Sequence, residues 1–191
     1  MAKISVVILC AGMSTRMGED KTFLEFNGEK AIELILRKAK KCKIADMIIV
    51  AGKNKQKVKE ITNLEKIATN EKTKLRSLSV KKGLSLIKEG NGCLVWPVDY
   101  PLVKTKTIKA ITSKHIHDHV VCPRSNKKGG HPILIGSNLI NDLKKISSDA
   151  PLNNWVRRQK KISLEIQDDW INYEMNNPDE YFKAKKINES S

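Results

Sequence analysis

Ile4-Ser5-Val6-Val7-Ile8-Leu9-Cys10-Ala11-Gly12-Met13-Ser14-Thr15-Arg16-Met17-Gly18-Glu19-Asp20-Lys21 is an apolar run that breaks at a glycine and is followed by two cations. Residues 4–9 are almost continuously apolar instead of alternating, the pattern of a strand buried on both faces. Gly12 and Gly18 let the backbone approach a ligand closely and turn its N–H groups outward as anion donors. Arg16 and Lys21 then supply the charges that suit a polyphosphate. The spacing is not that of a Walker A loop, because Glu19 follows Gly18 where a lysine is required. It is not the G-x-G-x-x-G dinucleotide fingerprint either.

Working outward, apolar β-branched runs alternate with helical patterns. Strands are expected at 46–50, 66–68, 92–98, 120–123, 132–135 and 163–166. Helices are expected at 29–41, 55–61, 75–87, 106–113, 139–146, 152–158 and 178–185, the last with Pro178 in its first turn. Such alternation predicts an α/β fold: a doubly wound, mostly parallel sheet with helices on both faces and a ligand site at the carboxyl ends of the strands. The 191 residues suit one domain, 1–186, with a polar tail over 187–191.

With 40% hydrophobic and 30% charged residues the chain is too rich in aliphatics to be disordered. No apolar run reaches the roughly 18 residues that cross a bilayer, so a soluble, cytoplasmic protein is expected. Cys10, Cys42, Cys93 and Cys122 lie far apart with no C-x-x-C pair, which argues against a disulfide framework or zinc site. The net charge of +15 invites a nucleic-acid reading, yet six of the 36 cations are Arg and the lysines are spread along helical patterns. Solvated helix faces account for that charge better than a nucleic-acid groove.

The pattern L-x-A-G-x-S-x-R-M-G-x-x-K, carried by Leu9, Ala11, Gly12, Ser14, Arg16, Met17, Gly18 and Lys21, resembles the signature of the MobA-like nucleotidyltransferases. This family includes molybdenum cofactor cytidylyltransferases and molybdopterin guanylyltransferases. Pro97-Val98-Asp99-Tyr100-Pro101-Leu102 resembles its P-x-D-x-P-L segment, and Gly130-His131-Pro132-Ile133-Leu134 the G-H-P-V-L segment of its cytidylyltransferase branch. The stretch 173–181 resembles its D-I-[DN]-T-P-E-D ending. The resemblance spans residues 4 to about 182 and implies a Rossmann-like nucleotidyltransferase fold.

Nucleotidylyl transfer demands positioning and charge neutralisation more than covalent chemistry. Arg16 and Lys21 carry suitable charges and, by resemblance, reach the triphosphate. A hard divalent cation takes one or two carboxylates with phosphates and waters. Asp99, at the end of an apolar strand and between two prolines, is the candidate carboxylate for Mg2+; a turn or helix-capping Asp is the alternative. The family's second metal ligand maps to Asn176, although Glu174 and Asn177 depart from the family pattern, and Asn176 and Asn177 also suit caps of the last helix.

The resemblance further implies that backbone groups of Leu9, Cys10, Ala11, Gly12 and Ser14 read the nucleotide. Alanine at position 11 follows the cytidine branch. Arg76-Ser77-Leu78-Ser79-Val80-Lys81-Lys82-Gly83-Leu84 resembles a segment of methylerythritol-phosphate cytidylyltransferases, which makes Ser79 a base-contact candidate against an ordinary helix serine. His131, within the G-H-P match, is the acceptor-side candidate. The expectation is a Mg2+-dependent transfer of CMP from CTP to molybdopterin, with a molybdoenzyme or its chaperone as a possible partner. GMP transfer, or transfer to a sugar, polyol or lipid phosphate, is the alternative, and a non-catalytic delivery protein belongs to another class.

Two further clusters stay unpromoted. His115, His117 and His119 with Asp118 suit a zinc site or, more simply, a polar connector. Trp155 with Arg157 and Arg158 suits a stacking patch or a helix with one buried aromatic.

Overall fold

The computed structural model describes residues 3–12, 17–44, 46–70, 76–147 and 150–189. The central sheet contains β1 (Ile4–Cys10), β4 (Asp46–Ala51), β5 (Ile67–Thr69), β6 (Gly92–Pro97), β7 (Val120–Ser125), β9 (Ile133–Ile135) and β10 (Lys161–Glu165). Their spatial order is β10-β7-β9-β6-β1-β4-β5, with the short β8 (Lys128–Gly129) paired to β7. β5, β4, β1 and β6 run parallel, as do β7 and β10; β9 runs against both of its neighbours. The sheet is the expected mostly parallel one.

Helices cover both faces, and β1 shows why. Val6, Ile8 and Cys10 point to one face, where they join Ile32, Ile35 and Ala39 of α1 (Ala31–Lys41), Val58 of α2 (Lys55–Thr62) and Ile108 and Ile111 of α4 (Thr105–Ser113). Val7 and Leu9 point to the other, with Val80 and Leu84 of α3 (Arg76–Leu84), Leu143 of α5 (Ile140–Lys145) and Trp155 of α6 (Leu152–Arg158). A strand has period two, so a strand enclosed on both sides must be apolar at every position. α3 lies close against the sheet at Gly83, where a Cβ would run into the Val7 and Val50 side chains.

The sequence reading passes over a hairpin. β2 (Glu25–Phe26) and β3 (Glu29–Lys30) pair antiparallel around Asn27 and Gly28, whose φ values are 51° and 77°. This two-residue turn needs left-handed backbone at both positions, which is the reason for Asn-Gly. The buried Phe26 meets Tyr181 of α7 (Pro178–Glu189) edge to face at 5.4 Å. α7 therefore closes over the hairpin and continues four residues beyond the expected helix end.

The order of the parallel strands also locates a crevice. From β1 the chain steps outward to β4 and β5, then returns to the other side of β1 to form β6. The chain thus runs from β1 toward one edge of the sheet and from β6 toward the other, and the crevice between two such strands is where open α/β sheets bind ligands. Among the described residues no helix is long and apolar enough to cross a membrane.

Candidate functional site at the carboxyl ends of β1 and β6

Lys21 opens a short 3-10 helix, Lys21–Phe23, fixed by Asp20, whose carboxylate accepts the Thr22 N–H at 2.9 Å. Asn54 ties this loop to the one after β4. Its amide donates to Cys10 O (3.2 Å), Asp20 Oδ2 (2.8 Å) and Thr22 Oγ1 (3.2 Å), while its Oδ1 accepts Gly52 N–H at 2.9 Å. Asn54 is missing from the sequence-based site. An Asn at the entry of a helix was its one legible signal, and that signal also fits an ordinary cap.

On the other side of the crevice, Asp99 sits in the turn after β6. Lys21 Nζ donates to Asp99 Oδ1 at 2.9 Å and to Asn176 Oδ1 at 3.3 Å. Residues 78 and 155 positions away from Lys21 thus meet at one ammonium. Lys21 and Asp99 are 12% and 17% exposed, so the charges sit in a recess and interact more strongly than a surface pair. Arg76, at the start of α3, stands 3.8 Å from Asp99 Oδ2 and 4.0 Å from Glu174 Oε1. The sequence reading quotes Arg76 within a motif but gives it no role, whereas the fold sets it beside the carboxylate.

The two readings of the late asparagines divide between them. Asn177 Oδ1 accepts Glu180 N–H at 3.0 Å, which is the cap of α7, while the Glu180 carboxylate reaches back to Asn176 N–H at 2.6 Å. These bonds hold the Asn176 backbone and aim its side chain at Lys21.

The other sequence candidates are dispersed along the same edge. Leu9 and Cys10 have core side chains, 8% and 1% exposed, so what they can present to the crevice is main chain. Leu9 O already accepts Val98 N–H, and Cys10 O accepts from Asn54. Burial pushes the Cys10 thiol well above its ordinary pKa, which leaves it an inert thiol. Ala11 lies against Gly52, where a Cβ would come within 3.4 Å of Ala11 backbone. Gly12 is exposed. Ser14 and Arg16 lie outside the described residues.

Ser79 is buried on the inner side of α3 and accepts from Asn70 Nδ2 at 2.7 Å. Asn70 follows β5, donates its backbone N–H to Ala51 O at 2.8 Å and is 2% exposed. Its Oδ1 is buried without a hydrogen-bond partner. A buried acceptor left bare costs about 1–3 kcal/mol, a cost that a ligand donor would relieve. Asn70 is a second residue that the sequence reading passes over.

His131 stacks at 4.9 Å from Tyr100, the residue after Asp99. Its Nδ1 is buried without a partner. Burial and then the nearby Arg76 charge bring its pKa down to about 3, so the ring is neutral at physiological pH. The same burial, with the charge of Glu174, raises Tyr100 to about 12. Gly130 completes this wall, because a Cβ there would strike Ile171 O.

His117 bonds Ser137 Oγ, His119 bonds Asp118, and among the described residues no three His, Cys, Asp or Glu side chains are grouped to hold a metal. Trp155 is buried and donates to Asp142, while Arg157 and Arg158 face outward.

Residues 6–162 match the model of the family described as the MobA-like NTP transferase domain. The chain belongs to this family. Among curated proteins it is 30% identical over 114 residues to a probable molybdenum cofactor guanylyltransferase of Natranaerobius thermophilus, a match that covers 58% of this chain and 54% of that one. The chain thus spans about half the length of that curated relative. A nucleotidyl transferase from Methanothermobacter thermautotroptrophicus shares the fold, with a TM-score of 0.84, 19% identity and coverage of 98% of each chain. The 4-diphosphocytidyl-2C-methyl-D-erythritol synthase of Anaerococcus prevotii gives 0.73 at 17% identity, covering 97% of this chain and 96% of that one. MobA-like members are nucleotidyltransferases, and in this chain Lys21, Asp99, Asn176 and Arg76 lie together in the crevice between β1 and β6.

Proposed function

We propose that the chain is a divalent-metal-dependent nucleotidylyltransferase that moves CMP from CTP to the phosphate of a molybdopterin-type acceptor. An acceptor phosphate oxygen attacks the α-phosphorus and forms a new P–O bond. The bond from that phosphorus to the α,β-bridging oxygen breaks, and pyrophosphate leaves with the electron pair. A phosphate nucleophile is already ionised at neutral pH and needs no general base, which agrees with a neutral His131 that serves as a wall of the acceptor side.

The observation that carries this reading is the meeting of Lys21, Asp99 and Asn176 at the topological switch point. The donor set suits Mg2+: one carboxylate and one amide oxygen from separate elements already converge on a cation, the Lys21 ammonium. Mg2+ commonly takes such a sparse protein set and completes its shell with phosphates and water. Asp99 and Asn176 would hold the ion, which when bound neutralises charge on the triphosphate oxygens. Lys21 and Arg76 would serve the α- and β-phosphates as leaving charge develops. Arg16 is assigned to the same phosphates by family resemblance.

For the base, the proposal rests on Ala11 and on Asn70. With Nδ2 engaged by Ser79, Asn70 offers one bare acceptor, which fits the single exocyclic amino group on cytosine better than the paired N–H donors of guanine. The guanylyl name of the curated relative favours the alternative, GMP transfer.

Melting-temperature shifts with each of the four nucleoside triphosphates, with and without Mg2+, separate these readings. A ligand at 100 times its Kd stabilises the fold by about 2.7 kcal/mol. A Mg2+-dependent shift with CTP, followed by pyrophosphate release on addition of molybdopterin, is the expected result. A shift with GTP in its place overturns the base assignment and keeps the transfer chemistry. No shift with any nucleotide overturns the enzyme reading and favours delivery of a cofactor.

A further inference from the structure

The turn that presents Asp99 is poor in its own hydrogen-bond donors, because Pro97 and Pro101 have no N–H. It is held from outside. Trp96 Nε1 donates to Tyr100 O at 3.0 Å, Val98 N–H donates to Leu9 O at 3.1 Å, and Lys104 N–H donates to the buried Asp168 carboxylate at 2.9 Å. The fourth hold is Lys38. From the inner side of α1, 63 residues away in sequence, its Nζ donates to Pro101 O at 2.6 Å.

An ammonium is an unusual choice for this position. Burial brings the pKa of Lys38 down to about 8, helped by the Arg37 charge and opposed by Asp168. Among the described residues no carboxylate lies within ion-pair distance of Lys38, and the bond to Pro101 is the hydrogen bond its side chain makes. Asp168 is taken up by Lys104 N–H, Thr107 Oγ1 and Trp170 N–H. If apolar packing were the sole requirement, Leu or Met would fill this place without the desolvation cost of a charge. A charged donor to a carbonyl is about twice as strong as a neutral one, which gives it a hold that packing lacks.

We propose that Lys38 is a positioning residue for Asp99: it clamps the Pro101 carbonyl so that the carboxylate two residues earlier stays aimed at the metal. The inference rests on the assignment of Asp99 as a metal ligand under the proposed function. Removing groups that orient a metal ligand typically costs 10- to 100-fold in metal affinity.

The test measures Mn2+ binding to the full chain by electron paramagnetic resonance, with saturating CTP and no acceptor, for wild type, K38M, K38R and D99N. K38M is expected to weaken Mn2+ about 10-fold, to leave metal-free CTP affinity within about two-fold, and to lower kcat without raising KM for CTP. K38R, which keeps a charged donor, is expected to recover most of the metal affinity. The inference is overturned if K38M binds Mn2+ as wild type does, or if K38M and K38R are weakened equally. Should K38M fail to fold, K38Q replaces it, with the same loss expected and the same null result fatal. D99N separates the two levels. If D99N retains Mn2+ affinity, the metal assignment itself falls; if D99N loses it while K38M does not, the role of Lys38 alone is wrong.

Discussion

Asp46 stands at the amino end of the sheet and Asp99 just beyond its carboxyl end, and the two carboxylates are held in opposite ways. At the amino end Asp46 accepts from Ser5 Oγ and Lys66 Nζ, each at 2.5 Å, and from Lys88 N–H at 3.1 Å, while Asn91 supports Ser5 at 3.0 Å. Burial alone would raise its pKa, but the bonds from Lys66, Ser5 and Lys88 outweigh it and hold the carboxyl below the usual value. At the carboxyl end Asp99 has, among the described residues, one close charged partner, Lys21, and a looser one, Arg76, at 3.8 Å. At the same end of the sheet Asn70 Oδ1, after β5, and His131 Nδ1, beside Tyr100, are left bare. Asp46 is complete and belongs to the fold. Asp99 keeps coordination capacity in reserve, in a setting where further polar groups also wait for a partner.

The sharpest way to break this contrast is to remove each carboxylate in turn. D99N is expected to lower the rate of pyrophosphate release by about 10³-fold, the scale for losing one electrostatic contact to a transition state, with little change in melting temperature. Equal activity in D99N and wild type would make Asp99 a second Asp46. Conversely, D46A is expected to lose about 3 kcal/mol, since it removes the acceptor of the buried Ser5 hydroxyl and of Lys88 N–H. For a chain of this length that is a fall of about 6–12 °C in Tm, with kcat per folded molecule unchanged. A fall in kcat at constant fold would show that the amino end also governs the site.

A smaller effect sharpens the account of the bare acceptor. N70D, which supplies two acceptor oxygens, is expected to move the ratio of CTP to GTP use about 10-fold towards GTP, near the value of one polar contact in discrimination. An unchanged ratio would remove Asn70 from base selection. The smallest effect is that of acid. Because the Asp46 pKa is depressed in the fold, its contribution is present above the ordinary value of 3.8 and is lost as pH falls through the lower folded value. Below pH 4 the wild type should therefore lose stability more steeply than D46N, as read by urea midpoints across that range; parallel slopes would show that Asp46 is not the titrating group.

The sequence carried the layered architecture because burial on both faces leaves a signature at every residue of β1, β4 and β6. It carried Asp99 because that residue sits in the turn directly after β6, and Lys21 because it ends the glycine-bearing motif that begins at the end of β1. The hairpin at 25–30 was legible in principle from Asn27-Gly28, but two-residue strands have too little length to show alternation. Asn54, Asn70 and Arg76 escaped for another reason. Their roles depend on which loops the strand order brings together, and a single Asn at a helix entry or after a short strand reads equally well as an ordinary cap. Asn176 and Asn177, by contrast, could be separated only by seeing which of the two faces the helix N–H groups.

Asn176 has a consequence for the order in which the molecule is made. Lys21 and Asp99 leave the ribosome within the first hundred residues, each after the strand that frames it, β1 or β6. The third member of the cluster arrives much later, and its aim depends on Glu180 and on the docking of α7 over the Phe26 hairpin. A growing chain can therefore assemble most of its sheet while the cluster still lacks one oxygen. Completion of the site is tied to completion of synthesis through residue 181, so that unfinished chains fold without being armed.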